Sequence, residues 1–282
     1  MGRRNRCIAP RVHERTNAFR RLLKGYVFAV LLTSALISGA CELVQTVSAD
    51  ESTTAKPPKG CVVLLHGMGR THRSMASMAH FLESAGYRTA NIDYPSTDQP
   101  IETLAASAVS QGIAACRREA PGTPIHFVTH SLGGILVRYY LSGATVTELG
   151  RVVMLSPPNQ GSEAAEALRE LPFYQWLNGP AGQQLGTGKD SLPLSLGPVD
   201  FPLGIITGNE NSVFDFWLDD MFPGENDGKV SVARAKVGGM ADFLVLPHTH
   251  TFIMQEEDVM AQVAFFLKNG RFHHRTRTED IE

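Results

Sequence analysis

Between residues 60 and 268 the chain alternates two kinds of apolar pattern. Short, mostly apolar runs with β-branched residues stand at 61–65, 125–129 and 152–155. Runs of this kind predict strands buried on both faces of a sheet. Four further runs, at 87–93, 203–207, 229–233 and 243–246, predict additional strands. Between the runs, apolar residues recur at helical spacing. Met75, Met78, Ala79 and Leu82 form one stripe, which Gly86 stops. Leu132, Ile135, Leu136, Tyr139 and Tyr140 form another, and 101–120 and 251–268 predict two longer helices. Residues 157–202 are rich in Gly and Pro, which predicts an irregular insertion with one short helix near 162–169. Strands alternating with helices predict an α/β fold with a mostly parallel sheet and helices on both faces. The charged stretch 269–282 reads as a frayed tail.

Upstream of this body the chain changes character. Residues 1–24 hold eight Lys/Arg and a single acid, Glu14, and lead into the apolar run 26–37. Small residues follow, so 1–49 has the layout of a secretory signal. Cleavage before Asp50, cleavage before Cys41 to give a lipoprotein, and retention as an uncleaved anchor all remain open. Each predicts an exported body, with membrane association through the N-terminal segment in the last two. Residues 50–59 are polar, contain two prolines and read as a linker, so the predicted folded domain spans 60–268. The net charge is only −2, which argues against a nucleic-acid partner. If export removes Cys7 and Cys41, two cysteines remain, Cys61 and Cys116. Both are expected at the end of the sheet away from the strand–helix turns, where an oxidising compartment permits a bridge if their Cα atoms lie within about 7 Å. The alternative is two separate buried thiols.

The chemistry-bearing residues gather where strands meet helices. Ser131 stands between a predicted strand and a predicted helix, with Thr129 two residues before it and Gly133 two after. A serine on such a sharp turn lifts its Oγ clear of the sheet; the plainer reading is a helix cap. His66, Gly67, Met68 and Gly69 follow the first strand directly, where a loop of this kind lends one amide to an oxyanion hole. The Met68 amide would be that donor, and the Leu132 amide the second. Asp227 lies in a turn that also reads as a plain hairpin signal, and His248 and His250 come about twenty residues later. A His-x-His pair could hold a metal, but no third ligand is evident, so none is expected.

Taken together, the segments LLHGMGRT, NIDYPS, THSLGG, SPPNQGSE, ENDGKVSV and HTHTFIM resemble the α/β-hydrolase superfamily, and bacterial exported esterase and lipase-like members most of all. The departure is Thr129, where most members carry Gly. The resemblance implies Ser131 as nucleophile, Asp227 as acid and a histidine of the 248–250 pair as base, with no cofactor. Of the two, His250 is the expected base, because it directly precedes an apolar helical run; His248 is expected at the pocket rim. Residues 157–202 fall where such enzymes insert a lid, and Leu171, Phe173, Trp176 and Leu177 are expected to line an acyl pocket with His66. The implied activity is hydrolysis of small or lipid esters. Acyl transfer, amide cleavage and a non-catalytic binding role on the same fold are the alternatives.

Overall fold

The computed structural model describes residues 57–211 and 222–274. The expected signal, most of the expected linker and the end of the tail lie outside them. Strand β1 (Cys61–Leu65) is buried at all five positions. Its alternate side chains feed two separate cores. Cys61, Val63 and Leu65 face one, while Val62 and Leu64 face the other. This two-sided burial is why the run has no polar position. A 3-10 turn leads into α1 (Ala76–Ser84), whose Met78 and Leu82 pack on the second core.

After β2 (Arg88–Ile92), the predicted long helix is divided. It consists of α2 (Ile101–Leu104) and α3 (Ser110–Glu119), joined through a π-helical turn over Ala105–Val109. The fully buried β3 (Ile125–His130) and α4 (Leu132–Gly143) come next, then β4 (Leu149–Leu155). The insertion is more ordered than its composition predicts. It contains α5 (Glu163–Leu168), α6 (Pro172–Gln183) and α7 (Leu192–Ser195). Ser162 Oγ caps α5 by accepting from the Ala165 amide, and Pro172 opens α6 where no amide hydrogen is required.

The rest of the sheet is β5 (Leu203–Gly208) and β6 (Asp242–Leu246). The six strands lie in the order β2-β1-β3-β4-β5-β6, all parallel. Two sequence expectations need correction. Residues 229–233 form no strand; they hold a turn and the start of the short helix α8 (Val232–Ala235), which Ser231 caps. Val230 is nonetheless buried against the core that Cys61, Val63 and Leu65 face, while Val232 is only partly buried. The last helix, α9 (Glu257–Asn269), starts six residues later than predicted, after a 3-10 turn at Ile253–Gln255.

Past α9 the chain turns at Gly270 and folds back. Phe272 is buried against Phe266, 4.8 Å between ring centres, and its amide donates to Asp242 Oδ2. Across the sheet, at the same end of the strands, Cys61 at the start of β1 is bonded to Cys116 of α3, with Cα atoms 5.4 Å apart. This staple ties the start of β1 to the helix that covers it.

Candidate active site

Strand β3 delivers Ser131 into a strained turn. Its φ of 50° and ψ of −118° are unusual for a residue with a side chain. Two bonds hold it there: the Ser131 amide donates to the Leu155 carbonyl, and the Ser131 carbonyl accepts from the Gly134 amide. Thr129, two residues earlier, is fully buried and packs without disturbing this turn.

Two glycines let the loop after β1 close on the start of α4. A Cβ at Gly133 would lie 2.7 Å from the Leu65 carbonyl oxygen, and one at Gly67 would lie 2.6 Å from His130 Nδ1. With no side chain between them, the Met68 loop and the first turn of α4 share one corner of the site. The Met68 and Leu132 amides donate to no other group among the described residues. The Leu132 amide also opens a twelve-residue helix, where the dipole favours negative charge.

Asp227 and His250 reach Ser131 from the far strands. The Asp227 turn is built by its own side chain, because Oδ1 accepts from the Lys229 and Val230 amides at 3.1 and 2.9 Å. The other oxygen, Oδ2, accepts from His250 Nδ1 at 2.9 Å. A backbone bond from the His250 amide to the Asp227 carbonyl, 2.9 Å, fixes the two loops together. His250 Nε2 lies 3.0 Å from Ser131 Oγ. Burial by itself would raise the Asp227 pKa. The charge and hydrogen bond of His250, the Ser156 hydroxyl and the Val230 amide outweigh burial and hold the carboxyl below its ordinary value. Asp227 is therefore an anion at neutral pH despite being fully buried.

Above Ser131 opens a cavity of about 440 Å³, with Met68, Leu168, Leu171, Phe173, Tyr174 and Leu177 in its wall. Three residues expected there lie elsewhere. Trp176 points away on the outer side of α6 and is 77% exposed, since successive helical residues cannot all face one cavity. His248 turns toward α9, its Nε2 2.8 Å from Asp258 Oδ1. His66 is buried beneath the loop: it stacks on Tyr94 at 4.1 Å and its Nδ1 donates to the Gly67 carbonyl. Tyr94 Oη donates to the His66 carbonyl, so this pair braces the Met68 loop from below.

Two further residues belong to the site and are not evident from the motifs. His130 is buried, and its Nε2 donates to the His250 carbonyl at 2.9 Å. Burial, then the neighbouring charges of His250 and Arg70, push its pKa well below the ordinary value, so it stays neutral. Arg70 lines the cavity beside Ser131. The histidine next to Ser131 in the sequence was a usable signal for the first; the second needed the cavity to be seen.

Residues 62–267 match the family model for the alpha/beta hydrolase family. A comparison with curated proteins gives no match. Among solved structures, the mature lipase from Bacillus licheniformis is similar with a TM-score of 0.55, at 20% identity over 75% of this chain and 92% of that one. Phospholipase PlaB from Legionella pneumophila is similar with a TM-score of 0.58, at 17% identity over 75% of this chain and 60% of that one. A metagenomic carboxyl esterase reaches 0.52, at 17% identity over 78% and 77% of the two chains. At these identities the likeness is one of fold. The family match runs from the first strand to the last helix, across a six-stranded parallel sheet with a strained serine at the end of β3, and on that ground the chain belongs to the alpha/beta hydrolase family.

Proposed function

We propose that the chain is a serine hydrolase of carboxylic esters, with Ser131 as nucleophile, His250 as general base and Asp227 as the acid that orients it. The observation that carries this reading is the continuous hydrogen-bonded path from Asp227 through His250 to Ser131, at the floor of an apolar cavity. In the first step His250 Nε2 takes the hydroxyl proton while Oγ attacks the acyl carbonyl. Asp227, ionised and accepting from Nδ1, holds the tautomer and stabilises the imidazolium. The Met68 and Leu132 amides bind the developing oxyanion. His250 then passes its proton to the departing alcohol. Water, deprotonated by the same nitrogen, releases the acid and restores Ser131. The apolar wall suits an acyl chain, and the activities named for the structures of similar fold agree with an ester substrate.

The test is turnover of p-nitrophenyl esters of rising acyl length, run beside labelling with a fluorophosphonate. Turnover that disappears in Ser131→Ala, with the label on Ser131, is the expected result. Folded protein that neither turns over an ester nor takes the label sinks the reading. We also infer that the chain works outside the cytoplasm. The basic head and apolar run support this, and the Cys61–Cys116 bond suits an oxidising compartment. Fractionation of expressing cells checks it, and recovery only in the cytoplasm with both thiols free counts against it.

A further inference from the structure

The geometry points to Arg70 as the anchor for an acidic group on the substrate, so that the cavity selects esters whose alcohol portion carries a phosphate or a carboxylate. This rests on the ester-hydrolase reading. Arg70 comes two residues after Met68 on the loop after β1 and lines the cavity together with Ser131. It also lines a second, adjoining groove, formed with Thr71, Asp93, Ser96 and Thr97. The residue therefore stands where the apolar cavity meets a polar one.

Its guanidinium is half-buried, yet it makes no hydrogen bond or ion pair with any described residue. The other buried or half-buried arginines all have partners. Arg138 donates to Asn159 and to the Gly197 carbonyl, Arg151 to the Leu267 carbonyl, Arg169 to Asp190 and Arg234 to Glu163. Partial burial of an unpaired cation costs free energy that an incoming anion would offset. The acid in the groove does not fill that role. Asp93 is taken by His72, whose amide donates to it at 2.9 Å and whose ring lies at 3.3 Å. Lys229, the other cation in the cavity wall, has contacts of its own. The charge of Arg70 also reaches His66 and His130, where it adds to burial in keeping both imidazoles neutral.

A guanidinium presents parallel N–H groups that match the two oxygens of a carboxylate or a phosphate. The lid side of the cavity is apolar and suits the acyl chain. The anion is accordingly assigned to the alcohol side, at the junction with the groove. Glycerol phosphate and hydroxybenzoate are two sources of the same chemistry, and matched esters separate them.

The experiment compares kcat/KM for two pairs of butanoate esters: glycerol with glycerol 3-phosphate, and phenol with 4-hydroxybenzoate. The full-length wild type is expected to prefer the charged member of at least one pair, and the pair with the larger ratio identifies the group. In Arg70→Gln that ratio should fall by about tenfold or more, the range of a charge-assisted contact. Arg70→Lys should retain part of it. A wild type with no preference, or a ratio that Arg70→Gln leaves in place, overturns the proposal. A binding measurement keeps it separate from the hydrolase reading. Hexyl phosphate should bind Ser131→Ala more tightly than hexanol in calorimetry, and the advantage should vanish when Arg70→Gln is added. If that advantage depends on Arg70 while no ester is turned over, the hydrolase reading fails and the anion site stands. Equal binding of the two probes removes the anion site whatever the esters show.

Discussion

The turns that close β3 and β4 carry the same residue in the same unusual backbone. Ser131 has φ 50° and Ser156 has φ 49°, and no other described residue with a side chain has positive φ. The two strands are neighbours, and each serine amide donates to the end of the next strand over, Ser131 to Leu155 and Ser156 to Ile206. Beyond the two serines the chain takes different courses. After Ser131 a helix begins at once, a cavity opens above, and His250 reaches the hydroxyl. After Ser156 come two prolines and no helix until Glu163, and the residue is fully buried. Its hydroxyl lies beside Asp227, close enough to favour the anion but short of a well-formed hydrogen bond. Backbone strain thus delivers a hydroxyl to the end of a strand. Its use depends on the helix, the opening and the base that surround it.

The sharpest way to break this comparison is kinetic. Ser131→Ala should lower kcat by about 10³-fold or more on any ester the enzyme accepts, as removal of a triad nucleophile does. Ser156→Ala should cost about tenfold or less, since it only loosens the surroundings of Asp227. Equal losses would make the two turns one functional unit. A second pair of variants asks the same of the histidines. His250→Ala should match Ser131→Ala, while His248→Ala, which breaks only contacts to Asp258 and Glu256, should stay within about tenfold of wild type.

Stability offers two smaller effects, both rooted at the opposite end of the strands. Replacing Cys61 and Cys116 with serine opens a loop of 55 residues and should lower unfolding stability by about 3–4 kcal/mol in denaturant titrations. The folded fraction should keep its kcat, because the bridge is remote from both serines. A collapse of kcat in protein that is still folded would tie the two ends together. The last effect belongs to His126, near the start of β3. Burial and the Arg151 charge lower its pKa to about 4 from the ordinary 6.5. The unfolded chain takes up this proton near pH 6.5 and the folded one only near 4. The contribution is whole above pH 6.5 and is lost as the pH falls toward 4, by up to about 3 kcal/mol. Melting temperatures across that window should flatten in His126→Asn, and an unchanged slope would assign the loss to other groups.

The sequence is most legible where a segment answers to both faces of the sheet. β1 reads as an unbroken apolar run because every side chain is buried on one side or the other, and β3, buried throughout as well, departs from that pattern only at His126, Thr129 and His130. The 229–233 run misleads because Val230 reaches the core from a turn, and no period separates that from a strand. α6 is hidden by Gly179 and Pro180, which suggest a loop, and by apolar residues that face a cavity or solvent instead of a core. Among the site residues, the order Ser131, Asp227, His250 is visible in the chain, and the three side chains meet. Arg70, His130 and Ser156 gain their meaning from neighbours that lie far away in sequence or from a missing partner. His66 and His248 stand near the motifs but turn to Tyr94 and Asp258.

Gly179 gives the 157–202 insertion a property that its helices do not. There α6 kinks, with φ 58° and ψ −162°, and a Cβ would come within 1.6 Å of the Thr97 carbonyl oxygen. The contact between the insertion and the body at Thr97 is therefore written by an atom that is absent. Before this point Leu171, Phe173 and Leu177 line the cavity, while Tyr174 both lines it and packs against the core of the body. Changes at the cavity-facing positions can then redraw the pocket while Gly179 keeps the insertion seated on Thr97. Variation at 179 and variation at the pocket wall should follow separate histories, the first silent and the second noisy.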